Sequence, residues 1–197
     1  SRPNCLMEYA GKYCYCAALM QKFDFLVIGG GIAGLTYALE VAKAGTVAVL
    51  FKKGVTESST AWAQGGIAAV NAADDNAELH LQDTLEAGGG LCDKKVVELV
   101  VSEGPLRLDE LISRGAKFDN SSESEFHLHQ EGGHSRRRIF HAAYATGYEI
   151  QRALLAAAKN ERNITFFSDC NAVDLLTTAK LGVEAGRKNR VLGAYVL

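Results

Sequence analysis

The sequence predicts an α/β fold in which a parallel sheet is extended by an antiparallel hairpin, and three observations carry that prediction. Short apolar, β-rich runs alternate with longer segments of helical period, the pattern of strands joined by crossover helices. A glycine turn, Gly29-Gly30-Gly31-Ile32-Ala33-Gly34, separates the first such run from the first such helix. Two further β-rich runs, Ala172 to Thr177 and Val191 to Leu197, flank the charged, turn-forming segment Gly182 to Arg190, as the strands of a hairpin do.

The composition sets the outer bounds. The 197 residues suit one domain, or one domain and the start of another, at about 100 to 200 residues per domain. Lys and Arg total 21 against 23 Asp and Glu, a formal charge of −2, so no basic excess marks a nucleic-acid or anionic-membrane partner. With 48% hydrophobic and 22% charged residues the chain can fill a core. The 20 Gly against 2 Pro point to close backbone approach rather than to a disordered linker. No apolar run reaches about 18 residues, so no spanning helix is expected. Five cysteines without C-x-x-C spacing give neither a disulfide framework nor a zinc ribbon, and a reducing intracellular compartment is expected.

Taken in order, residues 1–21 lack clear periodicity and read as an unstructured arm, either upstream translation or the remnant of a targeting peptide; Cys14 and Cys16 fall in it. Residues 22–197 read as the folded part. Phe23 to Ile28 is a strand and Ile32 to Ala44 a helix, its apolar residues at 32, 35, 38, 39, 41 and 42. Gly45 suits the helix end, and Thr46 to Phe51 is a second strand, which completes one βαβ unit. Asp75 is placed to cap a helix from about Asn76 to Ala87, Asp93 to begin another through Ser102, and Pro105 to open a third through Arg114. After a Gly-rich, charged stretch, Thr146 to Lys159 has helical period and feeds a strand at Ile164 to Phe167.

Gly29-x-Gly31-x-x-Gly34 stands between strand and helix, the context in which this Rossmann-like fingerprint has meaning. The first glycine permits the tight turn, the second brings backbone N–H groups to a pyrophosphate, and the third lets helix and strand close up. The helix N-terminus adds roughly 0.3–1 kcal/mol for nearby negative charge. The motif does not name the dinucleotide. An NAD site usually has an acid about 20 residues on, whereas the second strand ends Leu50-Phe51-Lys52-Lys53, which disfavours ordinary NAD. Lys52 and Lys53 suit either an NADP 2′-phosphate or a solvated strand end.

Beyond this unit, Thr56-Glu57-Ser58-Ser59-Thr60-Ala61-Trp62-Ala63-Gln64-Gly65-Gly66-Ile67-Ala68-Ala69-Val70 joins hydroxyls and an amide side chain to the N–H groups of Gly65 and Gly66, a set suited to a planar heterocycle rich in acceptors. This strip resembles the flavin-cradling loop of the succinate dehydrogenase and fumarate reductase flavoprotein superfamily, with wording most similar to its L-aspartate oxidase branch. The resemblance runs from about Phe23 to Val196 and includes Glu131-Gly132-Gly133-His134-Ser135-Arg136-Arg137-Arg138-Ile139, His141-Ala142-Ala143, Ala145-Thr146-Gly147 and Asn171-Ala172-Val173-Asp174-Leu175.

The resemblance implies a Rossmann-like FAD-binding domain truncated before a capping domain and a C-terminal helical domain, so that residues 22–197 would be an N-terminal fragment. It implies FAD as cofactor. Gly29, Gly30, Gly31, Ile32, Ala33 and Gly34 would lie at the pyrophosphate, Lys52 at the adenosine, Ser59, Thr60, Ala61, Trp62, Ala63, Gln64, Gly65 and Gly66 around the isoalloxazine, and Asn171 and Ala172 on the adenine side through backbone groups. In the dehydrogenase branch a His at the position of Ser59 carries the flavin covalently; a serine cannot, so non-covalent FAD is implied.

On the substrate side the resemblance implies oxidation of L-aspartate to iminoaspartate for quinolinate and NAD synthesis. Oxygen or fumarate would be the electron acceptor, and the product would pass to quinolinate synthase. The implied compartment is the cytoplasm, with the plastid stroma as the alternative. Glu131 matches the residue that orients the substrate amino group. Three successive arginines cannot all face one pocket, so Arg136, Arg137 and Arg138 are expected in structural or surface pairing, and no metal is expected at His127, His129 and His134. Gln130 and Tyr144 depart from the family pattern. Two alternatives stand beside this reading: another flavoprotein reductase acting on succinate or fumarate, and a catalytically inert FAD- or NADP-binding module.

Overall fold

The computed structural model describes residues 21–122, 125–143, 145–182 and 188–197. The expectations for the arm with Cys5, Cys14 and Cys16, and for Tyr144, lie outside these residues. Strand β1 (Phe25–Ile28), helix α1 (Ile32–Val41) and strand β2 (Val47–Leu50) form the βαβ unit, with β1 parallel to β2 from Phe25 opposite Val47 to Ile28 opposite Leu50. Strand β7 (Ile164–Phe167) pairs in parallel with the other side of β2, so the order is β1-β2-β7. The central strand is buried along its whole length, as its unbroken Val-Ala-Val-Leu run requires. At the edge, β1 buries Val27 and exposes Leu26 and Ile28, and the glycine turn leaves its carboxyl end. That end of a parallel sheet is where such folds bind ligands.

Helix α4 (Thr146–Asn160) packs beside α1 over the sheet. The buried positions 147, 151, 154 and 158 form one stripe at helical spacing, with Ile150, Ala153 and Leu155 beside it. Leu35, Ala38, Val47, Val49, Leu154 and Ala158 of the core are fully or almost fully buried.

Two expectations about helices are corrected. Helix α2 (Ala77–Ala87) is capped by Asn76, whose side chain accepts the Leu79 N–H at 2.9 Å; Asp75 does not cap it because its carboxylate is taken by Arg138. The separate helices expected on either side of Pro105 are one, α3 (Lys94–Ser113), begun as expected by Asp93, which accepts from Lys95 and Val96. A proline inside a helix costs about 3 kcal/mol or more. The helix continues through it because the inner face does, with Val101, Leu108 and Leu111 buried on both sides of Pro105.

Strands β8 (Ala172–Thr177) and β9 (Val191–Val196) form the expected antiparallel hairpin. Two short pairs are additional: β3 (Ile67–Ala68) with β6 (Ile139–Phe140), and β4 (Asn120–Ser122) with β5 (Glu125–Phe126), both antiparallel. The first joins the end of the strip to the segment after the arginines. No described helix is long and apolar enough to cross a membrane.

Candidate dinucleotide and substrate site

The glycine turn has the geometry its sequence foretells. Gly29 sits at φ +102, where a side chain would be strained. A Cβ on Gly34 would overlap the Gly29 carbonyl oxygen, so helix and strand meet at a distance that only glycine permits, and a Cβ on Gly30 would enter the Phe51 ring. Among the described residues the main-chain N–H groups of Gly31, Ala33 and Gly34 donate to no protein acceptor, the usual state of a helix N-terminus and a ready anion site. The Ile32 N–H is the exception, donating to the Thr60 hydroxyl at 3.0 Å.

That bond brings the strip to the turn. Ser58 Oγ accepts the Ala61 N–H at 3.1 Å and the Thr60 carbonyl accepts the Ala63 N–H at 3.1 Å, curling residues 58–63 into a compact turn. The Ala63 carbonyl then accepts the Gly147 N–H at 3.0 Å, so the turn rests on the N-termini of α1 and α4 together. Ser59, Trp62, Ala63, Gln64 and Gly65 remain exposed on its outer side, Trp62 at 79%. Two residues that the sequence reading missed complete the scaffold. Gly147 would collide with the Thr60 carbonyl if it bore a side chain, and Gln151 donates from Nε2 to the Gly30 carbonyl at 2.7 Å. A polar residue in the apolar stripe 147, 151, 154 and 158 was the signal available for Gln151.

Of the residues expected on the adenosine side, Lys52 is exposed just beyond β2, without an ion pair among the described residues, whereas its neighbour Lys53 lies 3.4 Å from Glu57. Asn171 and Leu197 exchange both main-chain bonds, at 2.7 and 2.9 Å. The N–H of Asn171 is therefore occupied, whereas its C=O keeps a second lone pair for a ligand. Ala172, one residue on, is a position whose polar groups turn away from β9.

The loop that carries Glu131 is held by a buried ion cluster. Arg138 has no exposed side-chain surface; Nε and Nη2 donate to both Asp75 oxygens at 2.8 Å, and Nη1 to Asp83 at 2.5 Å. Asp83 also accepts from the Ser135 N–H at 2.8 Å and hydroxyl at 2.9 Å. Arg136 donates to the Asp74 carbonyl at 3.0 Å and Arg137 reaches the Leu128 carbonyl at 3.4 Å, so the three arginines serve in structural and surface pairing. Gln130, the departure before Glu131, braces the loop by donating to the His134 carbonyl at 2.8 Å. Glu131 itself is half-exposed, with Oε1 3.4 Å from His141 Nε2. His127 and His129 face each other at 3.2 Å, His134 turns instead toward Arg138, and no group of three metal-capable side chains occurs among the described residues.

Burial pushes the Asp83 carboxyl up, but Ser135 and Arg138 outweigh it and hold it at about 2, below its ordinary 3.8. Asp75 is likewise raised by burial and brought below its ordinary value by Arg138. Burial first, then repulsion from Arg138 and His134, lowers the His80 imidazole beside them below its ordinary 6.5. All three are depressed in the folded state, so their contribution is present above the unfolded values and is lost on acidification. Stability is expected to fall first below pH 6.5 as His80 takes up a proton, then again from pH 3.8 toward about 2 as the carboxylates do. Asp83→Asn should flatten the lower limb in thermal unfolding followed across a pH series; an unchanged limb would remove Asp83 from the cluster's energetics.

Comparison with known proteins places this geometry. A family model described as "FAD binding domain" matches residues 24–197. The chain is 57% identical over 161 residues to L-aspartate oxidase 2-b, chloroplastic, of Nicotiana tabacum, covering 82% of this chain and 25% of that protein. It is 48% identical over 177 residues to L-aspartate oxidase of Yersinia pestis, covering 88% and 33%. The chain thus spans between a quarter and a third of these relatives, at 25% and 33% of their lengths. Among solved structures, a quinol-fumarate reductase with menaquinol molecules superimposes with a TM-score of 0.78 at 27% identity, over 89% of this chain and 29% of that one. The chain belongs to the FAD binding domain family, with the flavoprotein fold of the succinate dehydrogenase and fumarate reductase superfamily and a sequence similar to L-aspartate oxidases.

Proposed function

We propose that residues 22–197 are the FAD-binding part of an L-aspartate oxidase, completed by capping and helical domains, which converts L-aspartate to iminoaspartate. The observation that carries this reading is the meeting of the Glu131 loop with the flavin strip: Glu131 lies 3.4 Å from His141 Nε2, and a side chain on Gly66 would come within 3.1 Å of that same nitrogen. The named relatives point the same way.

The residues present fit FAD. The unpaired N–H groups of Gly31, Ala33 and Gly34 would hold the pyrophosphate, Lys52 and main-chain groups of Asn171 and Ala172 the adenosine end, and Ser59 to Gly66 the isoalloxazine. Ser59 provides no imidazole for a covalent link, so the cofactor is held non-covalently. Bound FAD supplies a two-electron acceptor for the hydride that leaves the substrate Cα. The Glu131 carboxylate accepts from the substrate ammonium and orients it, fixing which face of Cα meets the strip; loss of one proton from the ammonium nitrogen as hydride leaves carbon gives the iminium ion, and release of a second proton to solvent gives the imine. Oxygen or fumarate takes the electrons onward, and the unstable imine passes to an enzyme that condenses it, quinolinate synthase. The plant relatives are named chloroplastic, which favours the plastid stroma over the cytoplasm.

Anaerobic addition of aspartate to the full-length protein should bleach the flavin band at about 450 nm. A holoprotein whose band is unmoved by aspartate is an inert FAD module or a different reductase, and a nicotinamide fluorescence change on binding would favour NADP. Glu131→Gln replaces a charged hydrogen bond by a neutral one and should weaken aspartate use by about 1.5–3 kcal/mol, roughly ten- to 150-fold, with fumarate reduction less affected. Wild-type aspartate kinetics in that variant would take Glu131 out of the site.

A further inference from the structure

His141 stands where the substrate loop, the strip and the segment leading to α4 converge. Its main chain is fixed, since its carbonyl accepts the Asp119 N–H at 2.8 Å. Two residues on, Ala143 is held at φ 47 by donating its N–H to the Asp119 carboxylate at 3.0 Å, and between them Ala142 donates to Thr146 Oγ1 at 3.1 Å. The ring is fixed as well: it lies against His129 with centroids 4.4 Å apart, and His129 meets His127 in turn. Nothing in this frame satisfies Nε2. That nitrogen is buried without a hydrogen-bond partner, 3.1 Å from where a Cβ on Gly66 would stand and 3.4 Å from Glu131 Oε1.

An unpaired buried polar atom costs about 1–3 kcal/mol, and hydrogen bonds at such sites are often long until the substrate is in place. The carboxylate in reach is Glu131, whose side chain is half-exposed and has few anchors of its own. We propose that His141 is a positioning residue for aspartate oxidation: its Nε2–H donates to the Glu131 carboxylate and holds it beside Gly66, where the substrate amino group arrives. The ring provides the donor and the tilted His129 contact provides its aim. Gly66 is required here because a Cβ would overlap Ile139 Cγ2 and the Phe140 carbonyl oxygen and would crowd His141 Nε2 at 3.1 Å.

The inference rests on the aspartate reading above, and the tests separate the two. In the full-length holoenzyme His141→Phe keeps the ring and removes the donor; the KM for aspartate should rise about tenfold while FAD affinity changes by less than about twofold. His141→Gln returns an N–H donor and should recover most of the loss, which a packing role would not allow. In Glu131→Gln the added His141→Phe change should cost little more, since its partner's charge is gone. Wild-type aspartate saturation in His141→Phe, or a full additive loss in the double variant, would overturn the proposal. Nitrogen NMR of histidine-labelled full-length protein reads the pairing without substrate: the neutral imidazole of His141 should carry its proton on Nε2, and a proton on Nδ1 would overturn the pairing whether or not aspartate bleaches the flavin.

Discussion

Arg138→Met should destabilise the protein by about 3–5 kcal/mol, because it removes the guanidinium that pairs with two largely buried carboxylates. Asp75 has no exposed side-chain surface and gives both oxygens to Arg138, and Asp83 is 14% exposed. For a domain of this size the loss corresponds to roughly 6–20 °C in Tm, at about 2–4 °C per kcal/mol. Arg138→Lys should recover only part of it, since an ammonium cannot present the fork that meets Asp75 with two bonds and Asp83 with a third. The double variant Arg138→Met, Asp75→Leu should be more stable than Arg138→Met alone, because removing both partners leaves less uncompensated charge than removing one. Thermal unfolding of the three variants decides it. A Tm for Arg138→Met within a degree or two of wild type would show that water reaches the cluster and that the pair contributes little.

Gly147→Ala is the second large effect, and it falls on cofactor uptake. The added methyl would overlap the Thr60 carbonyl and stand 2.7 Å from the Ala63 carbonyl, both backbone atoms of the strip. Backbone cannot swing aside as a side chain can, so either the strip lifts from the α4 N-terminus or the Gly147 to Ala63 bond breaks. Thr60 also caps the Ile32 N–H, so displacement there reaches the glycine turn. Overpacking of about 1–3 kcal/mol would weaken FAD binding roughly five- to 150-fold, measured by quenching of flavin fluorescence on titration into the apoprotein. Gly54→Ala, at a position with open space for a methyl, serves as the control and should bind FAD as wild type does. Unchanged affinity in Gly147→Ala would mean that the strip is not part of the flavin site.

What the sequence made legible was local. The βαβ unit, its glycine turn, the strand at 164–167 and the hairpin follow from periodicity and turn residues within a few tens of positions, and each stands where expected. The misreadings share one cause, a distant partner. Asp75 has the residue type and the place of a cap, yet a guanidinium 63 positions away claims it. Pro105 has the look of a first-turn proline, but the inner face of α3 is buried on both sides of it. The two-residue strands of the β3 and β6 pair have no periodicity to read; they exist because the strip and the segment after Arg138 are brought side by side. At the site, the geometry of the glycine turn was legible and Gln151 could have been found as a polar residue in an apolar stripe, whereas Gly147 and His141 matter through contacts that no spacing encodes.

Gln151 has a thermodynamic corollary. Its amide belongs to α4 but is spent on the carbonyl of Gly30, inside the bend that would grip the diphosphate. Occupancy of that bend and order in the helix are therefore linked. Ligand at a hundred times its dissociation constant adds about 2.7 kcal/mol to the native state, and amide protons from Gln151 to Ala158 should share in that protection against exchange. Starved of riboflavin, a cell would hold the same polypeptide with this helix more open to proteases.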